Sequence, residues 1–110
     1  MQQTRWKPAC SLSQLSEEQG LSIDLEGHRL ALFLVDGSPC AISDLCPHGN
    51  ARLSEGWVED GTVECPLHQA RFDLRTGRVL CGPAKQDAQR FGARVQGGEV
   101  MVAVPVEVQR

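Results

Sequence analysis

Cys46-Pro47-His48-Gly49 and Cys65-Pro66-Leu67-His68 are the two stretches on which the reading of this chain turns. Each offers one thiol and one imidazole within four residues, and sixteen residues separate His48 from Cys65. In extended chain, residues two apart lie on one face roughly 6 to 7 Å from each other, so Cys46 and His48 can aim at one small centre. Pro47 stiffens that approach, and a turn through Pro66 brings Cys65 and His68 together despite the extra residue. The pattern C-x-H…C-x-x-H therefore describes two loops that grip one metal centre from opposite sides. A tetrahedral Cys2His2 zinc site uses the same donors, although common zinc spacings pair cysteine with cysteine and histidine with histidine. A catalytic Cys/His dyad needs only one such pair.

Outward from these loops the chain reads as short strands punctuated by turns. Leu30 to Val35 runs into Asp36-Gly37-Ser38-Pro39 and returns as Cys40-Ala41-Ile42. Trp57-Val58 turns at Glu59-Asp60-Gly61 and returns as Thr62 to Cys65, which delivers a ligand at a strand end. Arg71 to Leu74 and Arg78 to Leu80 flank Arg75-Thr76-Gly77, and Phe91 to Val95 and Glu99 to Val104 flank Gln96-Gly97-Gly98. Pro105 suits the end of an edge strand. Ser13 to Gln19 is the one stretch with helical character, two turns at most, with Ser13 as its cap or a plain loop in its place. The expected fold is all-β. It is one domain over residues 1–110, an antiparallel sandwich-like base of about 1–43 and 85–110 with an inserted metal-binding subdomain of about 44–84.

Composition narrows the function. With 110 residues, 41% hydrophobic and 23% charged, the chain has room for one modest core, near the size at which a metal centre usefully adds to burial. A net charge of −3 without a Lys/Arg cluster argues against a nucleic-acid partner. No apolar run approaches membrane-spanning length, and Met1 to Trp6 leads into no secretory core, so no membrane partner and a cytoplasmic location are expected. Thiols there stay reduced, which leaves Cys10, Cys40 and Cys81 as free thiols.

The two half-sites resemble the Rieske 2Fe-2S signature, in which two histidines replace two cysteines on one iron. The resemblance extends to His48-Gly49 followed by Leu53-Ser54-Glu55-Gly56, to Phe72-Asp73 followed by Thr76-Gly77, and to Gly82-Pro83-Ala84, which is similar to the family's proline loop. It is close over residues 40–84, and over the flanking strands it is one of pattern only. It implies one 2Fe-2S cluster with Cys46 and Cys65 on one iron and His48 and His68 on the other, so that each loop touches both irons. Two neutral ligands raise the potential from about −400 mV in plant-type ferredoxins to roughly −150 to +300 mV. High-potential members carry a loop disulfide, together with a serine and a tyrosine whose hydroxyls donate to the cluster. This chain has no cysteine pair for the disulfide and has Ala70 and Phe72 at the hydroxyl positions, which implies a potential near the bottom of that range. Gln69 stands where glycine is frequent.

These features resemble the ferredoxin component of bacterial aromatic-ring dioxygenase systems. The implied partners are a flavin-dependent NADH:ferredoxin reductase as donor and a terminal oxygenase as acceptor. The small Rieske-like component of an NADH-dependent nitrite reductase is an alternative, and a zinc-stabilised interaction module is another of a different class. No catalytic residue is expected. His28 is the one histidine beyond the ligand pairs and is read as an exposed loop residue, too little for a mononuclear iron site. Cys81 is read as a buried apolar thiol, and Trp6 and Trp57 as core or strand anchors. Between residues 46 and 84 five acidic side chains meet four arginines, which leaves docking to an apolar rim of Pro47, Pro66, Leu67 and Pro83.

Overall fold

The run Leu30 to Val35 is apolar at every position because the strand that carries it is buried on both faces. In the computed structural model, which describes residues 2–47, 50–67, 70–81 and 86–107, this strand is β3, His28–Val35. Leu30 and Leu32 point into a core with Ala41, Phe91, Val100, Val102 and Val104. Ala31, Phe33 and Val35 point into a second core with Ile42, Val63, Phe72 and Leu74. The alternation is the two-residue period of a strand.

The first core lies between two antiparallel sheets. One contains β1 (Gln2–Ser11), β11 (Glu99–Glu107) and β10 (Ala93–Gln96), in that order. The other is ordered β2 (Leu21–Leu25), β3, β4 (Ser38–Ser43) and β9 (Arg90–Phe91). The second core separates this sheet from a small meander of β5 (Trp57–Glu59), β6 (Thr62–Glu64), β7 (Arg71–Asp73) and β8 (Val79–Cys81). The chain leaves the larger sheet after Ser43 and returns beside it. β4 pairs with β9 through Ala41 with Phe91 and Ile42 with Arg90, and Ser43 N–H donates to Gln89 O at 2.8 Å.

The hairpins turn tightly. Glu26-Gly27, Asp36-Gly37 and Asp60-Gly61 all have positive φ at both positions, the two-residue geometry whose twist matches that of strands. The turn after β3 is therefore shorter than the Asp36-to-Pro39 reading, and Pro39 lies within β4, opposite Leu34. The same tight turn at Glu26-Gly27 moves His28 out of a loop and onto β3. There it is half-buried, with Nε2 at 3.0 Å from Pro105 O and its ring tilted against Phe91. No helix covers Ser13 to Gln19. A single 3-10 turn spans Leu12–Gln14, with Ser11 N–H donating to Gln14 Oε1 at 2.9 Å. Pro105 does not lie on an edge strand either, because β1 and β10 flank β11. β10 pairs with β11 only as far as Val102, so the missing N–H of Pro105 falls beyond that ladder. Among the described residues no helix is long and apolar enough to cross a membrane.

Gly77 joins the meander to the returning chain. Its φ is +78°, its N–H donates to Asp73 O at 2.8 Å, and its carbonyl accepts from Ala88 N–H at 2.7 Å. A Cβ there would collide with the Ala88 carbonyl oxygen, whereas one on Gly37, at the same φ of +78°, would meet nothing within 4 Å. Gly37→Ala is expected to cost about 1 kcal/mol from backbone conformation alone, and Gly77→Ala about 2 kcal/mol or more because overpacking adds to it. Urea unfolding followed by circular dichroism checks the order; equal losses would mean that the Ala88 contact relaxes freely.

Candidate metal centre

Two loops project from the strands around the second core, and both close in the same way. Cys46 N–H donates to Ala51 O at 2.9 Å, and Cys65 N–H donates to Ala70 O at 2.8 Å. In each, cysteine opens a six-residue loop, proline follows it, and a buried alanine ends it. The first loop is necked by the bridge from Leu45 to Arg52 and by Leu53 N–H donating to Asp44 O. The second is necked by the last pair of β6 and β7, Glu64 with Arg71, whose side chains also form an ion pair at 3.0 Å. A regular ladder thus runs up to Cys65 and an isolated bridge precedes Cys46, and both cysteines enter the same core.

The thiols belong to the second core beside Ile42, Ala51, Leu53, Ala70 and Phe72, and Cys65 is 0% exposed. A thiolate in such surroundings is costly without a cation, and a metal centre supplies one. The buried, paired cysteines thus fit a cluster. Pro47 and Pro66 are half-buried, while Leu67 is 64% exposed at the loop's outer surface. His48, His68, Gln69 and the Gly82-Pro83-Ala84 loop lie outside the described residues.

The matched loops find their counterpart in known proteins. A model of the Rieske [2Fe-2S] domain matches residues 5–102. The chain belongs to the Rieske [2Fe-2S] family. It is 42% identical over 98 residues to the ferredoxin component of the naphthalene 1,2-dioxygenase system of Pseudomonas aeruginosa, covering 89% of this chain and 94% of that one. It is 45% identical over 98 residues to the 3-phenylpropionate/cinnamic acid dioxygenase ferredoxin subunit of Escherichia coli K12, covering 88% and 92%. A solved complex of reduced oxygenase and oxidized ferredoxin in carbazole 1,9a-dioxygenase contains a chain that superposes with a TM-score of 0.82 at 32% identity, over 89% of this chain and 92% of that one. As a Rieske domain the chain carries one 2Fe-2S cluster, and its relatives place it among the family's electron-transfer ferredoxins.

Several side chains stand elsewhere than the sequence suggested. Cys81, expected to be buried, ends β8 exposed on the outer face of the Rieske meander, across from Arg71. Trp57 is on a strand, as an anchor would be, yet it is 63% exposed on that same face. Trp6 lies on β1, partly exposed, with the Arg94 guanidinium stacked 4.1 Å from its ring centroid. Two elements that fasten the loop necks escaped sequence reasoning, Asp44 and the Glu64–Arg71 pair. Acidic residues at strand ends are common in solvent, so nothing in the order of residues set these apart.

None of the five cysteines forms a disulfide. Burial pushes the Cys40 thiol up from 9.0, a shift that nearby Arg75 and Arg90 partly offset, and burial raises Cys10 as well. Alkylation consumes thiolate, so a raised pKa lowers the rate at any pH below it. With iodoacetamide at pH 8, mass spectrometry is expected to find Cys81 modified first and Cys10 and Cys40 well behind, with the midpoint of the Cys40 pH–rate profile above 9.0. Equal rates at Cys40 and Cys81 would contradict the burial argument.

Proposed function

We propose that Cys46 and Cys65 bind one iron of the 2Fe-2S cluster, that His48 and His68 bind the other, and that the protein shuttles single electrons within an aromatic-ring dioxygenase system. The donor is a flavin-dependent NADH:ferredoxin reductase and the acceptor a terminal oxygenase, both met in the cytoplasm without a membrane or nucleic acid. Residues 44–84 act as the cluster-binding subdomain, and about 1–43 and 85–110 act as its base. The observation that carries this reading is the identical closure of the two loops, with a buried cysteine in the same place in each. The dioxygenase link is supported by relatives that bear that description over nine-tenths of their length.

When bound, the cluster supplies reversible one-electron oxidation and reduction. The chain's residues decide at what potential and to whom. Burial of Cys46 and Cys65 keeps water from the sulfur side. Ala70 and Phe72, both fully buried, offer no hydroxyl to the site, so nothing at these positions stabilises added negative charge. Leu67 and Leu45, more than half exposed on the loops, give a partner an apolar landing surface without long-range steering.

Two experiments test the reading. Cys46→Ala and Cys65→Ala are each expected to purify with little iron or acid-labile sulfide, and in the loaded parent both thiols resist alkylation until the cluster is removed; stoichiometric cluster in either variant would overturn the ligand set. By protein-film voltammetry the parent is expected near the bottom of the roughly −150 to +300 mV range, with Ala70→Ser plus Phe72→Tyr raising it by about 59 mV or more, tenfold in a one-electron equilibrium. A parent wave well above 0 mV would place the protein in a quinol-linked class instead.

A further inference from the structure

Asp44 is the one buried charged side chain among the described residues, 0% exposed, and it lies two residues before Cys46. Its Oδ1 accepts from Ser54 N–H at 2.8 Å and its Oδ2 from the Ser22 hydroxyl at 2.8 Å. Its main chain is held as firmly: N–H donates to Arg29 O at 3.0 Å, and O accepts from Leu53 N–H at 2.6 Å. Ser22 is on β2 and Arg29 on β3, whereas Leu53 and Ser54 form the far limb of the first loop. One residue therefore ties both limbs of that loop to each other and to the larger sheet.

We infer that Asp44 is a positioning residue for the first cluster loop and that its buried charge holds the reduction potential down. Each carboxylate oxygen has a hydrogen-bond partner able to donate, an arrangement that can hold the anion. No lysine, arginine or histidine pairs with it among the described residues, in contrast to Glu64, which Arg71 neutralises beside the second loop. A fixed negative charge out of water is weakly screened and opposes the arrival of an electron nearby. Neutral donors compensate it only in part.

The inference rests on Cys46 being a ligand, and voltammetry of the loaded protein tests it with electron paramagnetic resonance of the reduced state alongside. Asp44→Asn keeps the shape and, with the Ser22 hydroxyl turned to accept, both side-chain hydrogen bonds, but removes the charge. It is expected to shift the one-electron equilibrium toward the reduced form about tenfold, an upward step of about 59 mV. Ser22→Ala keeps the charge and loses one donor, so its potential is expected at or below that of the parent. The potential does not depend on occupancy, so partial loss of cluster in Asp44→Asn leaves the readout intact, and if that variant holds none, Ser22→Ala decides alone. An unmoved potential in Asp44→Asn, or a rise in Ser22→Ala, would overturn the role of the charge while a Rieske-type resonance persists. Absence of that resonance from the unmodified protein would overturn the ligand assignment instead.

Discussion

Everything in this molecule is hung on a strand whose apolar run, Leu30 to Val35, packs on both faces. β3 commits alternate side chains to two different cores, one closing the two larger sheets and the other seating Cys46 and Cys65. Leu30 and Leu32 cannot shift register without driving Ala31 and Phe33 the wrong way, since a one-residue slip exchanges the two faces. The position of the cysteines relative to the base is thereby fixed by packing. Close-packed interiors transmit displacement, so the loops inherit the rigidity of the strand below them.

The two loops are alike at their tips and unlike at their necks. The second is secured by a half-exposed ion pair within the meander, an interaction that salt and side-chain entropy weaken. The first is secured by Asp44, itself fully buried, through bonds to β2, β3 and the far limb. Hydrogen bonds to a buried charged group are stronger than neutral ones, and loss of either partner is costly. The first loop thus belongs mechanically to the larger sheet and the second to the meander.

The hairpins and the matched placement of Cys46 and Cys65 at the loop openings were legible because each has a local cause. Cys-x-His spacing depends on chain geometry over three residues, and Asp-Gly before a returning apolar run encodes its own turn. The misreadings arose where tertiary context decides. Ser13 to Gln19 has helical character but no apolar face to bury, so a single 3-10 turn suffices. Cys81 and Trp57 are apolar enough for a core, yet the alternation of β5 sends Trp57 outward, opposite Val58, and a register shift in β8, where Leu80 is the extra residue, sets Cys81 across from Arg71 instead of on the Val79 side. His28 was read from its polar neighbours, whereas the bond to Pro105 O and the Phe91 ring come from the far end of the chain. Asp44 was invisible for the same reason, as Ser22 is 22 positions away.

The pairing of β1 with β11 has a consequence for how the protein is made. Gln2 lies opposite Glu107, so β1 waits for β11, made about a hundred residues later, before its edge is covered. The meander needs no such wait, because its partners are neighbours in sequence and local contacts form early. On the ribosome, then, Cys65 emerges on a hairpin able to organise itself while the β1 edge is still open. The interval before β11 arrives is when the nascent chain is most exposed to edge-to-edge association.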